Sequence, residues 1–452
     1  MLSVPKIDKA LGIEVYATKT SGISGLIRES VDDFVVEEIL VDGSRASASG
    51  TIPARVLGSS SQRQRFLLCI LVKRNWDTFI AIKNIAKDLC IDQGRVQIAG
   101  IKDAKAVTAQ FITLDNVSIE EVEKVNVKDL TLYPIGYLRE QMGLFYLLGN
   151  SFTITITNIS KPELDIQDCL TQANKELEVL GGIPNFFGHQ RFGTIRPITH
   201  LVGKALSLGN FEEAAMLFLA KSSMYEHPES RKARQQLEVT RNFKLAVEIF
   251  PKSLRFERIM LFHLAEKSSD FLGAFQKLPL KLQALFVQAN QSYLFNRFLS
   301  ERLKRNLPLD AAVVGDLVVG VEKSGLPLTM VNKVVTPETL DVVNSQVKVG
   351  KLRVALPIFG TKQKLSLGVM GEIEREVLDT EGIGDKPIRL NELSNAGGKG
   401  GLRAVLAPVR EFKMQRVTDD VAKVSFILNR GCYATVVLRE LIKPIDPIGA
   451  GF

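Results

Sequence analysis

The chain has 452 residues, of which 45% are hydrophobic and 24% charged. These values are ordinary for globular proteins, so they exclude wholesale disorder and fibrous repeats, and the length predicts about two or three domains. The 58 Lys and Arg residues exceed the 50 Asp and Glu residues, and the net charge of +8 suits a polyanionic partner but would equally serve solubility alone.

The first part of the chain carries strand and helix patterns in alternation. Apolar or alternating runs predict strands at residues 34–40, 66–72, 96–99, 109–114 and 152–157. Asp77 offers an N-cap for a helix after the second of these strands. An apolar stripe at helical spacing, from Ile166 to Leu177, predicts another helix after the last.

The sequence pattern predicts mostly helices in the middle of the chain, from about Thr199 to Leu303. Strand patterns return at 311–321, 352–356 and 421–428, and a helix is expected at 434–442. Ser- and Gly-rich stretches at 44–61 and 382–401 predict loops. Mixed regions that flank a helical middle favour a domain split by an insertion.

The cysteine spacing and the hydropathy of the chain indicate the cellular compartment to expect. Cys69, Cys90, Cys169 and Cys432 are scattered singly, which argues against a zinc ribbon and a disulfide framework. No stretch approaches the ~20 apolar residues of a membrane helix, and residues 1–9 lack the apolar core of a signal peptide. We therefore expect a cytoplasmic protein that does not engage a membrane.

The densest polar cluster is the segment 100–110, which follows a short predicted strand. Gly100 frees the backbone for a tight turn, and Asp103 lies at its tip between Lys102 and Lys105. A carboxylate beside cations is favoured in its ionised form, which suits a nucleophile or a general base. By composition alone, a plain surface turn is the stronger interpretation of these residues.

The same segment, taken as the ordered string Gly100-x-Lys102-Asp103-x-x-Ala106-x-Thr108-x-Gln110, closely resembles the signature of the TruD family of pseudouridine synthases. Further segments resemble the family's motifs in the family's order: 33–38, 73–78, 149–152, 184–193, 291–296, 300–302, 431–435 and 438–441. The resemblance covers the chain from about Ser24 to Lys443.

The resemblance implies an α+β fold. A pseudouridine-synthase catalytic domain with a mixed, mainly antiparallel sheet would be interrupted by an inserted α/β module, the TRUD domain. The predicted boundaries are 1–183 and 401–452 for the split catalytic domain and 184–400 for the insertion. This agrees with the insertion suggested by the periodicity of the chain.

The resemblance also implies an activity, that of an isomerase acting on RNA. A uridine of tRNA, at position 13 in the family, would lose its glycosidic bond, and the base would rotate and rejoin the sugar through a C5–C1′ bond. Asp103 would be the catalytic carboxylate, acting at C1′ or at the base. The reaction needs no cofactor, and we predict no metal. The expected partner is tRNA, with other RNAs possible substrates, and no obligate protein partner is predicted.

Four residues are predicted to contact the substrate. Arg28 lies where relatives often carry Lys and would pair with Asp103, although a surface charge explains it equally well. Phe34 would line the uridine pocket, with simple core packing as the alternative. Asn150 can donate and accept hydrogen bonds at once, as a uracil edge requires, and its alternative is a turn residue. Tyr433 would stack on the flipped uracil.

Other polar residues are kept outside the catalytic set. His189 is expected to be structural or to face RNA. Arg439 and Glu440 would either form a helix-borne ion pair or touch the active site. The basic stretch 225–258 either grips the RNA backbone or is a solvated helix face. The main alternative function is an RNA-binding or folding factor on the same scaffold. A glycosidic hydrolase is weaker, because it usually needs a carboxylate pair.

Overall fold

The computed structural model describes residues 3–53, 56–384 and 398–452. Its strands are β1 (Phe34–Leu40), β2 (Phe66–Arg74), β3 (Val96–Ile98), β4 (Val107–Asp115), β5 (Leu130–Leu138), β6 (Leu147–Ile156), β7 (Ile183–Pro184), β8 (Leu317–Val321), β9 (Pro327–Val334), β10 (Leu352–Ile358), β11 (Gly401–Ala404), β12 (Leu406–Ala407), β13 (Arg410–Val417) and β14 (Ala422–Asn429).

The helices follow the predicted mixed, helical and mixed order. They are α1 (Lys6–Ala10), α2 (Thr78–Asp88), α3 (Ile119–Val122), α4 (Glu163–Leu180), α5 (Thr199–Ser207), α6 (Phe211–Leu219), α7 (Pro228–Thr240), α8 (Phe243–Ile249), α9 (Arg255–Glu266), α10 (Phe271–Gln276), α11 (Leu280–Lys304), α12 (Leu340–Lys348), α13 (Gly368–Thr380) and α14 (Ala434–Ile442). Asp77 caps α2 as predicted, accepting hydrogen bonds from the backbone N–H groups of Phe79 and Ile80.

The larger sheet has eight strands in the order β13-β14-β6-β1-β4-β2-β5, with β3 also paired to β4. β1 runs parallel to β4, and its other neighbour β6 is antiparallel to it. β1 and β3 share one edge of β4, since β1 pairs with residues 107–109 and β3 with residues 112–114. The connection from β3 to β4, which contains Asp103, therefore passes over the end of β1.

One face of this sheet is covered by helices. Val36 lies beside Thr108, and Cys69 lies beside Ile112. Because side chains alternate along a strand, positions 108 and 112 point to the same face. On that face β1 and β6 share a buried apolar cluster with α4 and α14, and β2 packs against α2. The opposite face, around Phe111, is covered by the connection from β1 to β2.

A second, four-stranded antiparallel sheet has the order β11-β10-β8-β9. It packs on α11 and α13, while the first part of α11 belongs to a separate core with α5 to α10. Gly203 allows α5 to cross α11 closely, because a Cβ atom there would lie 1.9 Å from the Phe286 carbonyl oxygen. The helix α11 thus joins the helical region to both sheets.

The N-terminal segment forms hydrogen bonds with distant parts of the chain. Asp8 accepts hydrogen bonds from His189 and from Arg439 of α14. The carbonyl groups of Leu11 and Gly12 accept from side chains of α11. The next residues follow α14, where the N–H groups of 23 and 24 donate to the carbonyl groups of 441 and 442.

The sequence prediction and the structure differ in some bounds. The strand expected over 311–321 contains only β8, because Asp316 is held by Arg302 and Gly315 has a left-handed φ of 95°. The Gly-rich stretch 382–401 falls largely on residues 385–397, which lie outside the described residues. Within the described ranges, no helix is long and apolar enough to cross a membrane.

The domain division stays a prediction. The strands of the smaller sheet run from residue 317 to residue 404, so β11 pairs with a strand of the proposed insertion although it follows the predicted boundary at 400.

Candidate active site

Asp103 lies on the turn between β3 and β4, and several neighbours hold this turn in place. Lys73, at the end of β2, donates from Nζ to the carbonyl oxygens of Asp103 at 2.6 Å and Trp76 at 2.7 Å. The Thr78 hydroxyl donates to the carbonyl of Lys102 at 3.1 Å and accepts from its N–H at 3.2 Å. The backbone around Asp103 is therefore tied to β2 and to the start of α2.

Lys102 does not face Asp103 as the sequence suggested. Its Nζ pairs with Glu38 Oε1 at 2.6 Å, and both side chains are buried. Glu38 Oε2 also accepts the N–H of Phe111 at 2.8 Å. Burial raises the pKa of Glu38, although Lys102 opposes that shift. This ion pair belongs to the support of the turn, where each buried charge needs its partner.

Arg28 supplies the positive charge beside Asp103. Its Nη2 donates to Asp103 Oδ1 at 3.1 Å, and its Nη1 donates to the Gly451 carbonyl at 2.9 Å. The guanidinium carbon lies 3.9 Å from the centre of the Phe34 ring, a cation–π contact. Burial lowers the pKa of Arg28, and Asp103 opposes this. Arg28 is thus positioned by a carbonyl, a ring and the carboxylate together.

The five predicted site residues line one cavity of about 430 Å³. This is the size range of small-molecule sites. Asp103 keeps 35% of its side chain exposed there, against 9% for Arg28. Among the described residues, only its Oδ1 accepts a hydrogen bond, so Oδ2 stays available. A larger cavity, of about 850 Å³, lies among α6, α7 and α10 and shares no residue with this one.

Asn150 and Tyr433 complete the cavity from two directions. Asn150 lies on β6 opposite Glu38, and its Oδ1 is buried with no hydrogen-bond donor among the described residues. Tyr433 is the N-cap residue of α14, and its ring packs edge-on against Phe187 with centroids 6.1 Å apart. Burial raises the pKa of Tyr433 against the effect of Arg403. An unpartnered amide oxygen and an aromatic ring are the groups that a nucleobase engages.

Sequence reasoning missed some residues at this site. The sequence marks Lys73 only as the start of a motif, yet its Nζ donates to the Asp103 carbonyl oxygen. Gln190 also lines the cavity, where its Oε1 accepts a hydrogen bond from Thr435 at 2.9 Å. The position of Lys73 directly after an apolar strand could have indicated its role, because a charged side chain that is buried there needs hydrogen-bond partners.

Several arginines surround the Cys432–Tyr433 end of the cavity without a carboxylate partner in the described part of the chain: Arg191, Arg353, Arg403 and Arg410. Arg403 donates to the carbonyl and side chain of Asn185, and Arg191 donates to Ser292 and Gln288. Burial lowers the pKa of Arg403. The cavity is therefore bordered by positive charge that the described residues do not neutralise.

The residues kept outside the catalytic set lie away from the cavity. His189 contacts Asp8 at 2.8 Å, and Arg439 pairs with both Asp8 and Glu440 in the same buried network. None of these four residues lines the cavity. In the basic stretch 225–258, Arg234 is buried and paired with Glu226 and Glu257, so it is not available to RNA. Within the described ranges, no group of three or more His, Cys, Asp and Glu residues could hold a metal ion.

Comparisons with known proteins agree with this arrangement. The family model described as "tRNA pseudouridine synthase D (TruD)" matches residues 10–441. The protein named "Probable tRNA pseudouridine synthase D" of Methanosarcina barkeri is 36% identical over 99% of both chains, and the one of Pyrococcus abyssi is 38% identical over 95% of this chain and 98% of its own. A crystal structure of a TruD protein from Methanosarcina mazei superposes with a TM-score of 0.83 at 35% identity, covering 99% of this chain and all of the other.

The fold and these matches define a pseudouridine synthase, an enzyme of the isomerase class. The chain belongs to the tRNA pseudouridine synthase D (TruD) family. The expected α+β fold is confirmed by the match to the solved structure.

Proposed function

We propose that this enzyme converts a uridine of tRNA to pseudouridine and that Asp103 is its catalytic carboxylate. The observation that carries the proposal is the placement of Asp103 in the cavity beside Arg28, with 35% of its side chain exposed and with no hydrogen bond to Oδ2 from the described residues. The named relatives support tRNA as the substrate.

The reaction breaks the N1–C1′ bond of the uridine and forms a C5–C1′ bond to the same ribose, and the proton at C5 is lost while N1 gains one. Asp103 acts as the nucleophile at C1′ or at the base, or as the base for the ribose. Arg28 keeps a positive charge 3.1 Å from the carboxylate and fixes its orientation. No electron transfer is required, so the scheme needs no redox partner.

The detached uracil has to be held until it rejoins the sugar. Asn150 Oδ1 accepts the imide N–H of the base, and its amide group donates to a uracil carbonyl. Tyr433 stacks on the ring. The apolar side chains of Val36, Leu147 and Phe152 form the remaining wall and keep water from the sugar.

The target uridine must leave the RNA stack to reach Asp103, because the carboxylate lies inside a cavity. Arginines that have no carboxylate partner among the described residues, such as Arg353 and Arg410, contact the phosphates on either side of the uridine. We place the target at position 13 of tRNA, as the family resemblance implies.

The test is pseudouridine formation on an unmodified tRNA transcript, mapped by carbodiimide treatment and primer extension. Wild type forms pseudouridine at one position, and Asp103→Asn loses at least about 10²-fold in rate. Asp165→Asn, an exposed carboxylate of α4, is the matched control and keeps full activity.

Each other outcome has a definite meaning. Unchanged product with Asp103→Asn removes Asp103 from its role. RNA binding without product from wild type favours the RNA-binding or folding factor. Free uracil without isomerisation favours the hydrolase.

A further inference from the structure

A strongly exposed apolar turn lies at the mouth of the cavity. Leu144 and Phe145 belong to the short 3-10 helix before β6 and are 58% and 86% exposed. Leu144 lines the cavity, and so does Ile101, which is 63% exposed and lies two residues before Asp103. Exposed apolar side chains from two separate segments thus line the cavity.

The exposure of Phe145 is imposed by the surrounding structure. Arg430 donates from Nη1 to the carbonyl oxygens of Leu144 and Leu147, which closes the turn from behind. On its other side, the N–H of Val41 donates to the carbonyl of Tyr146 at 2.9 Å. The turn is therefore anchored at both ends, and its aromatic ring is held in water although exposure of such a ring is unfavourable.

The entry to the turn is anchored as well. Met142 is 2% exposed, and its N–H donates to Thr113 Oγ1 at 2.9 Å. Between Met142 and Leu147 the chain carries no charged side chain. The partner of Phe145 is therefore recognised by an apolar or aromatic surface.

A nucleobase fits these requirements better than another protein surface. When the target uridine leaves the stack, its neighbours lose a stacking partner, and apolar side chains can fill such a gap. Each base presents a flat π-face that stacks on an aromatic ring without sequence preference. Phe145 is continuous with the wall of the cavity through Leu144, so it lies where the bases next to the target must pass.

We propose that Phe145, supported by Leu144, stacks against the base next to the target uridine and occupies the place that the uridine leaves. The ring acts as a wedge that holds the RNA open while the uracil is in the cavity. This inference rests on the proposed function, since it requires an RNA substrate whose uridine enters that cavity.

The first measurement is the single-turnover rate of pseudouridine formation. Phe145→Ala lowers the rate by roughly 5- to 100-fold, the loss expected for one base–aromatic stack. Phe145→Tyr keeps the ring and stays near the wild-type rate. Val179→Ala removes an equally exposed apolar side chain, 85% exposed on α4, and leaves the rate unchanged. Melting temperatures are the same for all variants, because each changed side chain is exposed.

The second measurement separates base extrusion from chemistry. A tRNA with 2-aminopurine beside the mapped uridine is bound by the Asp103→Asn protein, which cannot react. 2-Aminopurine brightens when it loses its stacking neighbour, so its fluorescence rises little on binding to this protein, because Phe145 takes the place of the uridine against the reporter base. With Asp103→Asn and Phe145→Ala combined, the fluorescence rises more than with the single variant, because no ring replaces the uridine.

Two results would overturn the wedge. One is a Phe145→Ala rate within twofold of wild type together with an unchanged fluorescence signal. The other is a Phe145→Tyr variant as slow as Phe145→Ala. In both cases wild type still forms pseudouridine, so the proposed function stands, whereas a wild-type protein that forms none contradicts the proposed function itself.

Discussion

Lys73 shows how one buried side chain determines the geometry of the candidate site. It is fully buried at the end of β2, and its Nζ reaches the carbonyl oxygens of Asp103 and Trp76. Burial lowers the pKa of Lys73 to about 8, against the opposing effects of Asp103 and Asp77. Burying a charged group is unfavourable unless its hydrogen bonds are satisfied. Lys73 satisfies them with these carbonyl oxygens and therefore acts as a positioning residue for the turn.

Replacing Lys73 tests this role. Lys73→Met leaves two carbonyl groups without a donor, so we expect a loss of about 1–3 kcal/mol in the free energy of unfolding. The displaced Asp103 turn lowers the rate of isomerisation by about 10- to 100-fold. Urea denaturation and single-turnover kinetics measure the two effects. Lys83→Met, on the exposed side of α2, is the control and changes neither.

The sequence could single out the proposed catalytic carboxylate and a pairing with Arg28, but not the residues that support the turn. Asp103 is distinguished by an ordered motif, and the pairing with Arg28 was a stated alternative that the geometry supports. The partner of Lys102 could not be found in this way, because Glu38 lies on another strand and meets it only when the sheet forms. The role of Lys73 could not be predicted from the sequence either, because Lys73 contacts backbone carbonyl groups rather than a particular side chain.

At the level of elements, a carboxylate in the middle of α13 accepts hydrogen bonds from a residue that precedes the helix. Glu374 accepts hydrogen bonds from the N–H of Ser366 at 2.8 Å and from its hydroxyl at 2.7 Å. Burial raises the pKa of Glu374 to about 7, and the two hydrogen bonds only partly oppose this. The helix start is therefore sensitive to the protonation of one group.

The sign of the pH dependence follows from that shift. The folded-state pKa lies above the ordinary value of 4.5, so the contribution of Glu374 to stability is complete below that value and is lost as the pH rises through about 7. Glu374→Gln keeps an acceptor for the N–H and a donor for the hydroxyl, so it is more stable than wild type by roughly 1–3 kcal/mol at alkaline pH.

Chemical denaturation of wild type and Glu374→Gln at pH 5 and pH 8 measures this difference. The two proteins should be similar at the lower pH and diverge at the higher one. Glu372→Gln, two residues away on α13 and exposed, serves as the control. An equal gap between Glu374→Gln and wild type at both pH values would contradict the prediction.

Elements with a clear buried face were predictable, and those without one were not. The stripe from Ile166 to Leu177 became α4, whose members on that stripe are buried. β13 was missed because most of its side chains are exposed, so its sequence lacks the alternation of a half-buried strand. The order of strands in the sheet was also out of reach, because it depends on pairing between distant segments.

For the whole molecule, the N-terminal segment is the element that ties the ends of the chain to the middle. Asp8 binds Arg439, 431 positions away, and His189. Burial alone would raise the pKa of Asp8, but Arg439 and His189 outweigh it and lower it. The three residues come from the first helix, the segment after β7, and the last helix.

Removing the carboxylate tests the importance of this link. Asp8→Ala leaves the buried Arg439 with Glu440 as its remaining acidic partner, and we expect a loss of about 3 kcal/mol in unfolding free energy. Differential scanning calorimetry measures it, and a cooperative transition at lower temperature is the expected result. Asp168→Ala, on the exposed side of α4, should melt like wild type. Equal melting of both variants would show that the network contributes little.

The alternation of mixed and helical regions predicts an insertion, but no sequence pattern predicts the link through Asp8. Nothing in the pattern around Asp8 distinguishes it from a surface residue of a short helix. Its burial arises only because α14 and the segment after β7 meet there.

The same link has a consequence for folding during synthesis. Asp8 leaves the ribosome long before Arg439, which lies 431 positions further along the chain, and Tyr433 lines the cavity from the start of the same helix as Arg439. A nascent chain therefore carries an acidic group without its Arg439 partner and an incomplete cavity until α14 has been synthesised. Premature termination before α14 would yield polypeptides that lack both the Asp8–Arg439 contact and the Tyr433 side of the candidate site.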